Sequence, residues 1–341
     1  MRFIGGGRMS TIDINALSEQ CKQNKKLFNI LIVLLSACNQ DCIHCYIPEH
    51  KNIGLPFDIV TKMIDEAREL GALNVTLTGG EIFIRKDIFN IIEYAKNKGM
   101  RVFLMSNASM LNQEKIKKLY DLGIAEFSTT LFSMNEGIHD KITLCPGSWA
   151  QTMRSIKDFK EYNIPVTIKT PLMEINKYAY KDVEAFANAN GFNFMSTTTI
   201  FSKSDGDTSP CELGIQSDLC TIVRDTKRLQ LKYREDDITY EKEGIPCGAG
   251  FNSISVNYDG AIWPCNSLFL DCGNVYNDSI IDVWNNSLVL NEWRKKSVEP
   301  VEPCQTCALK NKCLRCPGMA LLEDGDLYGC SSSAKKIAEL V

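Results

Sequence analysis

The sequence predicts an α/β fold, six parallel βα units followed by a smaller cysteine-rich domain held by metal. Three observations carry this. Short apolar or β-branched runs alternate with segments of helical periodicity from residue 28 to about residue 199. Glycines follow those helical segments at the points where a helix should stop. The chain of 341 residues carries 15 cysteines, grouped rather than spread. At this length a core forms without disulfides, and an odd count forbids complete pairing, so clustered cysteine points to metal ligation in a reducing compartment.

The predicted strands are 29–35, 74–78, 101–105, 126–132, 166–171 and 194–200. In 58–70, Ile59, Met63, Ala67 and Leu70 recur near a 3.6-residue period, and Gly71 follows. Segment 87–98 repeats the design with Ile88, Ile91, Ile92 and Ala95 before Gly99; 112–122 ends at Gly123 and 182–190 at Gly191. Such alternation means parallel strands with right-handed crossovers. Six strands are fewer than the eight of a closed barrel, so an incomplete barrel and a doubly wound sheet both remain open. Beyond residue 199 the regularity breaks. Segment 202–210 is a polar Gly/Pro loop, 217–233 has a helical pattern, and Cys247 opens the cysteine-rich region. The first 27 residues show no fold of their own, and Gly5-Gly6-Gly7 suggests a flexible tail. The expected division is an extension 1–27, a first domain 28–210, a linker or helical segment 211–246, and a small domain 247–335.

Composition removes several classes of function. With 38 Lys+Arg against 42 Asp+Glu, the formal charge is -4, which leaves no basic surplus for a phosphate backbone. No nucleic-acid partner is expected. The longest apolar run, 30–35, is far short of the ~20 residues that cross a bilayer. Lys25-Lys26 ahead of Leu35-Ser36-Ala37-Cys38 has the look of a lipoprotein signal. The long polar stretch before Lys25 and the immediate Cys42 and Cys45 oppose it. A cytoplasmic protein with no membrane partner is expected.

The first cysteine group is Cys38-x3-Cys42-x2-Cys45, directly after the first strand. Loops leaving the carboxyl ends of parallel strands build active sites. Three thiolates on one loop can hold three irons of a cubane and leave the fourth iron open, whereas a structural zinc site wants a fourth protein ligand. His44, between two of these cysteines, is awkwardly placed to chelate with them and is expected to pack. This triplet resembles the signature of radical S-adenosylmethionine enzymes. Thr78-Gly79-Gly80-Glu81, leaving the second strand, is similar to that family's GGE motif. The resemblance implies that Gly79, Gly80 and Glu81 bind the cofactor, the carboxylate meeting its amino group. It further implies Ser106 and Asn107 at the ribose, and Thr130 where many members place a serine. His139-Asp140-Lys141-Ile142-Thr143 with Pro146-Gly147-Ser148 resembles a stretch of the peptide-modifying branch, without a role attached.

The later cysteines are Cys247, Cys265 in a Gly260-x4-Cys turn, Cys304-x2-Cys307-x5-Cys313-x2-Cys316, and Cys330. They resemble the SPASM domain, which holds two auxiliary four-iron clusters. The departures are a wide first gap and x2 rather than x3 before Cys316. The resemblance implies Cys247, Cys265 and Cys316 at a nearer auxiliary cluster, and Cys304, Cys307, Cys313 and Cys330 at an outer one. Two C-x2-C pairs also suggest a zinc ribbon, though ribbons usually separate the pairs by more than five residues. Cys272 either closes the nearer cluster or is a buried small hydrophobe. Cys145, on the loop after the fourth strand, is a candidate proton or hydrogen-atom donor without an evident activating partner. Trp263, Trp284 and Trp293 are expected to pack the small domain.

The resemblance covers residues 28–335 and implies a partial (β/α)6 TIM-like barrel followed by a small iron–sulfur SPASM domain. It implies three [4Fe-4S] clusters, S-adenosylmethionine, a flavodoxin- or ferredoxin-type electron donor, and cleavage of the cofactor to a 5′-deoxyadenosyl radical. The leading expectation is oxidative modification of a ribosomally made precursor peptide by a cross-link such as a thioether. Formylglycine formation in a sulfatase and peptide epimerisation are alternatives within the family. An electron-transfer or zinc-ribbon protein is the alternative of another class, and it leaves Gly79-Gly80-Glu81 without work. The chain has too little before its first strand for a leader-binding domain, so a separate leader-peptide-binding protein or direct recognition by the barrel is expected.

Overall fold

In the computed structural model, residues 14–233 and 247–340 are described. The Gly5–Gly7 tail and residues 234–246 of the expected linker lie outside the described residues. Among the described residues, eight strands form one sheet: β1 (Asn29–Val33), β2 (Asn74–Thr78), β3 (Arg101–Met105), β4 (Glu126–Thr130), β5 (Val166–Pro171), β6 (Asn193–Thr197), β7 (Ser253–Val256) and β8 (Ile262–Trp263). Their spatial order is β6-β5-β4-β3-β2-β1-β7-β8. The first six lie side by side in chain order and all parallel. A doubly wound sheet reverses its strand order, so that alternative falls. The sheet is an open partial barrel, with β6 and β8 at its edges.

The helices are α1 (Ile14–Gln23), α2 (Phe57–Glu69), α3 (Ile88–Asn97), α4 (Gln113–Asp121), α5 (Glu136–Thr143), α6 (Ser148–Glu161), α7 (Ala179–Asn190), α8 (Leu219–Tyr233), α9 (Ile280–Asn286), α10 (Leu288–Lys296), α11 (Glu302–Gln305), α12 (Pro317–Asp324) and α13 (Ser332–Glu339). Strand alternation sends Ile30, Ile32, Val75, Leu77, Val102, Leu104, Phe127 and Ile168 to one face. All are buried in one core with the apolar stripes of the crossover helices, Met63, Ile64, Ile91, Ile92, Ile116 and Ile156 among them. On the other face the alternate residues Met105, Thr130 and Lys169 are only half-buried.

Two features differ from the sequence expectation. Residues 14–23 are helical, not structureless. Ten residues are too few for a stable isolated helix, and this one docks. Asn252 Nδ2 donates to Ser18 O and Ser18 Oγ at 3.1 Å. The cysteine-rich region is also not set apart from the sheet. β7 pairs in parallel with β1, Asn29 opposite Ser253 and Ile32 opposite Val256, while Phe28 and Asn29 N–H donate to Asn252 O. The apolar run 30–35 therefore starts as a central strand of the sheet. Trp284 Nε1 reaches Lys25 O at 3.2 Å, joining the small region to the segment before β1, while Trp293 Nε1 reaches Ala249 O at 2.7 Å within the small region.

Candidate functional site

After β1 the chain runs as a loop through Cys38, Cys42 and Cys45, on the side where the βα loops of a parallel sheet open. Backbone holds this loop from two directions. Gly80 N–H donates to Leu35 O and Glu81 N–H to Ala37 O, both at 2.9 Å, tying it to the loop after β2. Asp41 and Ile43 N–H donate to Thr143 O and Ile142 O at 3.1 and 3.0 Å, tying it to the last turn of α5. A side-chain bond adds a third tie, since Asn107 Nδ2 donates to Asn39 Oδ1 at 2.9 Å from the loop after β3.

The stretch 139–148, which the sequence left without a role, is what fixes that last turn of α5. Asp140 accepts from Gly147 N–H, Ser148 Oγ and Trp149 N–H, capping α6. Thr143 and Ser148 hydroxyls meet at 2.7 Å, and His139 Nδ1 accepts from Phe132 N–H at 3.3 Å. Cys145 lies half-buried on the turn between α5 and α6, with its carbonyl accepting from Ser148 N–H.

Burial, before any neighbour, pushes the three loop thiols up, Cys38 to about 11, with Cys42 and Cys45 also raised. Cys45 and Cys38 add to the effect on Cys42, so the thiols are close enough to oppose one another's ionisation. Buried thiolates in such a group are stable only against positive charge, which metal supplies. His44 is not part of it chemically. Its ring packs edge-on to Phe132 at 5.0 Å, and burial lowers its pKa to about 4, leaving it neutral.

Glycine is required at positions 79 and 80 because two βα loops touch there. A Cβ on Gly80 would sit 2.3 Å from Ala37 O and Ser36 O, and one on Gly79 2.6 Å from Leu35 O. Glu81 follows these two glycines. Its side chain is fully buried, and its oxygens accept from Phe83 N–H at 2.9 Å, Asn107 N–H at 2.9 Å, and Ser106 Oγ at 2.9 and 2.8 Å. A carboxylate offers about four acceptor sites. Three donors of the chain itself occupy three of them, the single Ser106 hydroxyl proton shared between both oxygens, so Glu81 braces the loops after β2 and β3. Ser106, expected at a ribose, is likewise turned inward, accepting from Ala108 N–H at 2.9 Å. Asn107 remains half-buried, with Nδ2 3.9 Å from Cys38 Sγ. Thr130 ends β4 in register with Lys169 of β5.

Lys169 escaped the sequence analysis, although a lysine inside Val166-Thr-Ile-Lys-Thr-Pro171 was a visible signal. Its amine pKa is lowered by burial, and Nζ lies 3.7 Å from Met105 Sδ. His50 and Asp41 also went unnoticed as a pair, their ring nitrogen and carboxylate 3.1 Å apart.

The later cysteines gather into two groups. Burial raises Cys247 and Cys265, and each also feels Cys316, with Cys265 feeling Cys247. Burial likewise raises Cys304 and Cys313, and both feel Cys307 and Cys330. Cys272 belongs to neither group. It is buried in the core, pushed up to about 12 by burial and then Asp271, with Ser287 and Arg294 as its other neighbours. Among the described residues, no three His, Cys, Asp or Glu side chains converge as a single ion would require. All-sulfur donor sets of this kind are those that hold iron–sulfur clusters.

Two family models match parts of the chain. The radical SAM superfamily model matches residues 32–188, and the model of SPASM, an iron–sulfur cluster-binding domain, matches residues 247–308. The chain is 26% identical over 322 residues to the AdoMet-dependent heme synthase of Methanosarcina barkeri, covering 86% of this chain and 92% of that protein. It is 26% identical over 305 residues to the antilisterial bacteriocin subtilosin biosynthesis protein AlbA of Bacillus subtilis, covering 82% and 63%. The crystal structure of Streptococcus suis SuiB bound to S-adenosylmethionine superposes with a TM-score of 0.68 at 17% identity, covering 94% of this chain and 81% of that one.

Proposed function

Because the chain belongs to the radical S-adenosylmethionine superfamily and carries a SPASM iron–sulfur domain, we propose that it oxidatively modifies a ribosomally made peptide by a cross-link such as a thioether. Cys38, Cys42 and Cys45 would hold the cluster that binds S-adenosylmethionine. The Gly79–Gly80 backbone, Asn107 and Thr130 would line the cofactor. Cys247, Cys265 and Cys316 would hold a nearer auxiliary [4Fe-4S] cluster, and Cys304, Cys307, Cys313 and Cys330 an outer one. Bound there, cluster and cofactor supply a 5′-deoxyadenosyl radical able to take a hydrogen atom from carbon. The chain's own part is orientation and exclusion of water. The Glu81 brace and the α5 carbonyls fix the triplet loop, and the half-buried face bearing Met105, Thr130 and Lys169 offers a partly dry surface.

The peptide reading is carried by one observation, the three-thiol group of Cys247, Cys265 and Cys316 with Cys272 turned away into the core. Three protein ligands would leave one iron of a four-iron cluster open to a substrate thiolate. AlbA, as a biosynthesis protein of a bacteriocin, supports the same class. A second reading, a tetrapyrrole substrate, is favoured by the heme synthase relatives, one of which is matched over 92% of its length. Cytoplasmic location, a flavodoxin- or ferredoxin-type donor and a separate leader-binding protein belong to the peptide reading. No described helix is long and apolar enough to cross a membrane.

Anaerobic reconstitution with dithionite tests the enzyme class. The protein should hold about 12 irons for three four-iron clusters and release 5′-deoxyadenosine from S-adenosylmethionine. No 5′-deoxyadenosine overturns it, and zinc at Cys304–Cys316 overturns the outer cluster. Small peptides encoded beside the enzyme should lose about two hydrogens in mass, whereas unchanged mass with deuterium uptake indicates epimerisation. Conversion of an added iron porphyrin with all peptides unchanged establishes the tetrapyrrole reading instead.

A further inference from the structure

Lys169 places a cation on the half-buried face of the sheet, and nothing in the chain neutralises it. Strand alternation sets it on the side of Thr130, its partner in register, and away from the core that takes Ile168. Its Nζ lies 3.7 Å from Met105 Sδ. Since β4 lies between their two strands, the side chains meet above it, across about 10 Å of sheet. An ammonium carries three donors, and a thioether is a weak acceptor. Burial disfavours the charge and Glu126, acting through space, favours it, but Glu126 Oε1 already accepts from Ser128 Oγ at 3.2 Å. Among the described residues, no carboxylate comes within ion-pair distance of Lys169 Nζ. Exposed lysines do have such partners: Lys98 lies 2.6 Å from Asp65, and Lys117 2.6 Å from Asp121. Lysine is rarely kept from water unless paired, because an unpaired cation there costs stability.

The amine also stands close to the proposed chemistry. Met105 is two residues before Asn107, whose Nδ2 donates to Asn39 of the triplet loop and lies 3.9 Å from Cys38 Sγ. We propose that Lys169 binds a carboxylate of the substrate, so that this site takes an anion. In the peptide reading the carboxylate belongs to an Asp, a Glu or the C-terminus, and in the tetrapyrrole reading to an acidic side arm. This deepens the proposed function and rests on it. A carboxylate arriving at Nζ gives the ammonium a charge-assisted acceptor in place of a thioether, and displacement of water around the pair strengthens it. Lys169 would select and orient the substrate without itself reacting.

Two measurements on the reconstituted full-length protein test this. Without substrate, Lys169→Met should unfold in urea at the same midpoint as the unaltered protein or a higher one, since it removes an unpaired cation. A lower midpoint means that the chain itself uses the amine, and overturns the proposal. With substrate, fluorescence anisotropy follows the binding of peptides encoded beside the enzyme. Lys169→Met should weaken binding ~10- to 100-fold, and Lys169→Arg should recover part of the loss. Among peptides with each Asp or Glu changed to its amide, or with an amidated C-terminus, one should bind the unaltered protein as weakly and lose nothing further on Lys169→Met. If an iron porphyrin with free carboxylates binds and the peptides do not, its methyl ester takes the place of the amide peptides. Equal binding of every ligand by the unaltered and Lys169→Met proteins overturns the proposal and leaves the enzyme reading standing. A loss confined to S-adenosylmethionine binding gives the amine to the cofactor and also overturns it. If neither peptide nor porphyrin binds the unaltered protein, the substrate readings fail and this inference falls with them.

Discussion

Ser106 Oγ lies 2.9 and 2.8 Å from the two carboxylate oxygens of Glu81. One hydroxyl thus closes a joint between the loops after β2 and β3, and Asn107 N–H completes it at 2.9 Å. Burial raises the Glu81 pKa, the bonds from Phe83, Ser106 and Asn107 oppose that rise, and the group is worth more as an acceptor of three donors than as a free charge.

Glu81→Gln should therefore destabilise the fold by about 1–3 kcal/mol, because its amide N–H2 would face donors and leave a buried group unpaired. Ser106→Ala should cost less, and the double variant should cost less than the sum, since the residues share one network. Anaerobic urea unfolding measures all three. Full additivity would mean the joint is not cooperative.

Gly80→Ala should be worse than a glycine replacement made elsewhere. Its Cβ would meet two backbone carbonyls at 2.3 Å, so the triplet loop must move, at an overpacking cost of about 1–3 kcal/mol. Gly99→Ala is the control, with a left-handed φ of 74° but nothing within 4 Å, and should cost about 1 kcal/mol. Iron retained on reconstitution should fall in Gly80→Ala and stay at the unaltered level in Gly99→Ala.

Cys272→Ala should keep the iron content of the unaltered protein. Its thiol lies in the core beside Arg294 and Ser287 and feels none of the other cysteines. Cys316→Ala should lose iron. Metal analysis after anaerobic reconstitution separates the two, and a drop in Cys272→Ala would make it a fourth ligand.

His139 should contribute a pH-dependent loss of stability. Burial lowers its pKa from 6.5 to about 4 in the fold, with Nδ1 already accepting from Phe132 N–H. Between about pH 6.5 and 4 the unfolded chain binds a proton that the folded chain refuses, so stability falls as pH falls through that window. The integrated effect is on the order of 3 kcal/mol. His139→Gln should flatten that part of the curve, measured as urea midpoints at pH 7 and pH 5.

The six strands β1–β6 were legible in the sequence to within a few residues, because β-branched runs and glycine stops are local signals, whereas β7, also parallel to β1, was not. Helices α5 and α6 were not, since motif residues such as Asp140 and Gly147 interrupt the apolar period there. Helix α1 was missed because tertiary contacts such as that with Asn252 stabilise its ten residues. Cysteine spacing alone separated the triplet from the later set, as ligands on one loop must be neighbours in sequence. What Glu81 and Cys272 do was decided by tertiary structure. Each depends on a donor or charge brought from another part of the chain, Ser106 or Arg294, and local spacing carries no record of which buried partner arrives first. The sequence by itself determined the chemistry the chain can carry, while packing decided which side chains stay free to take part in it.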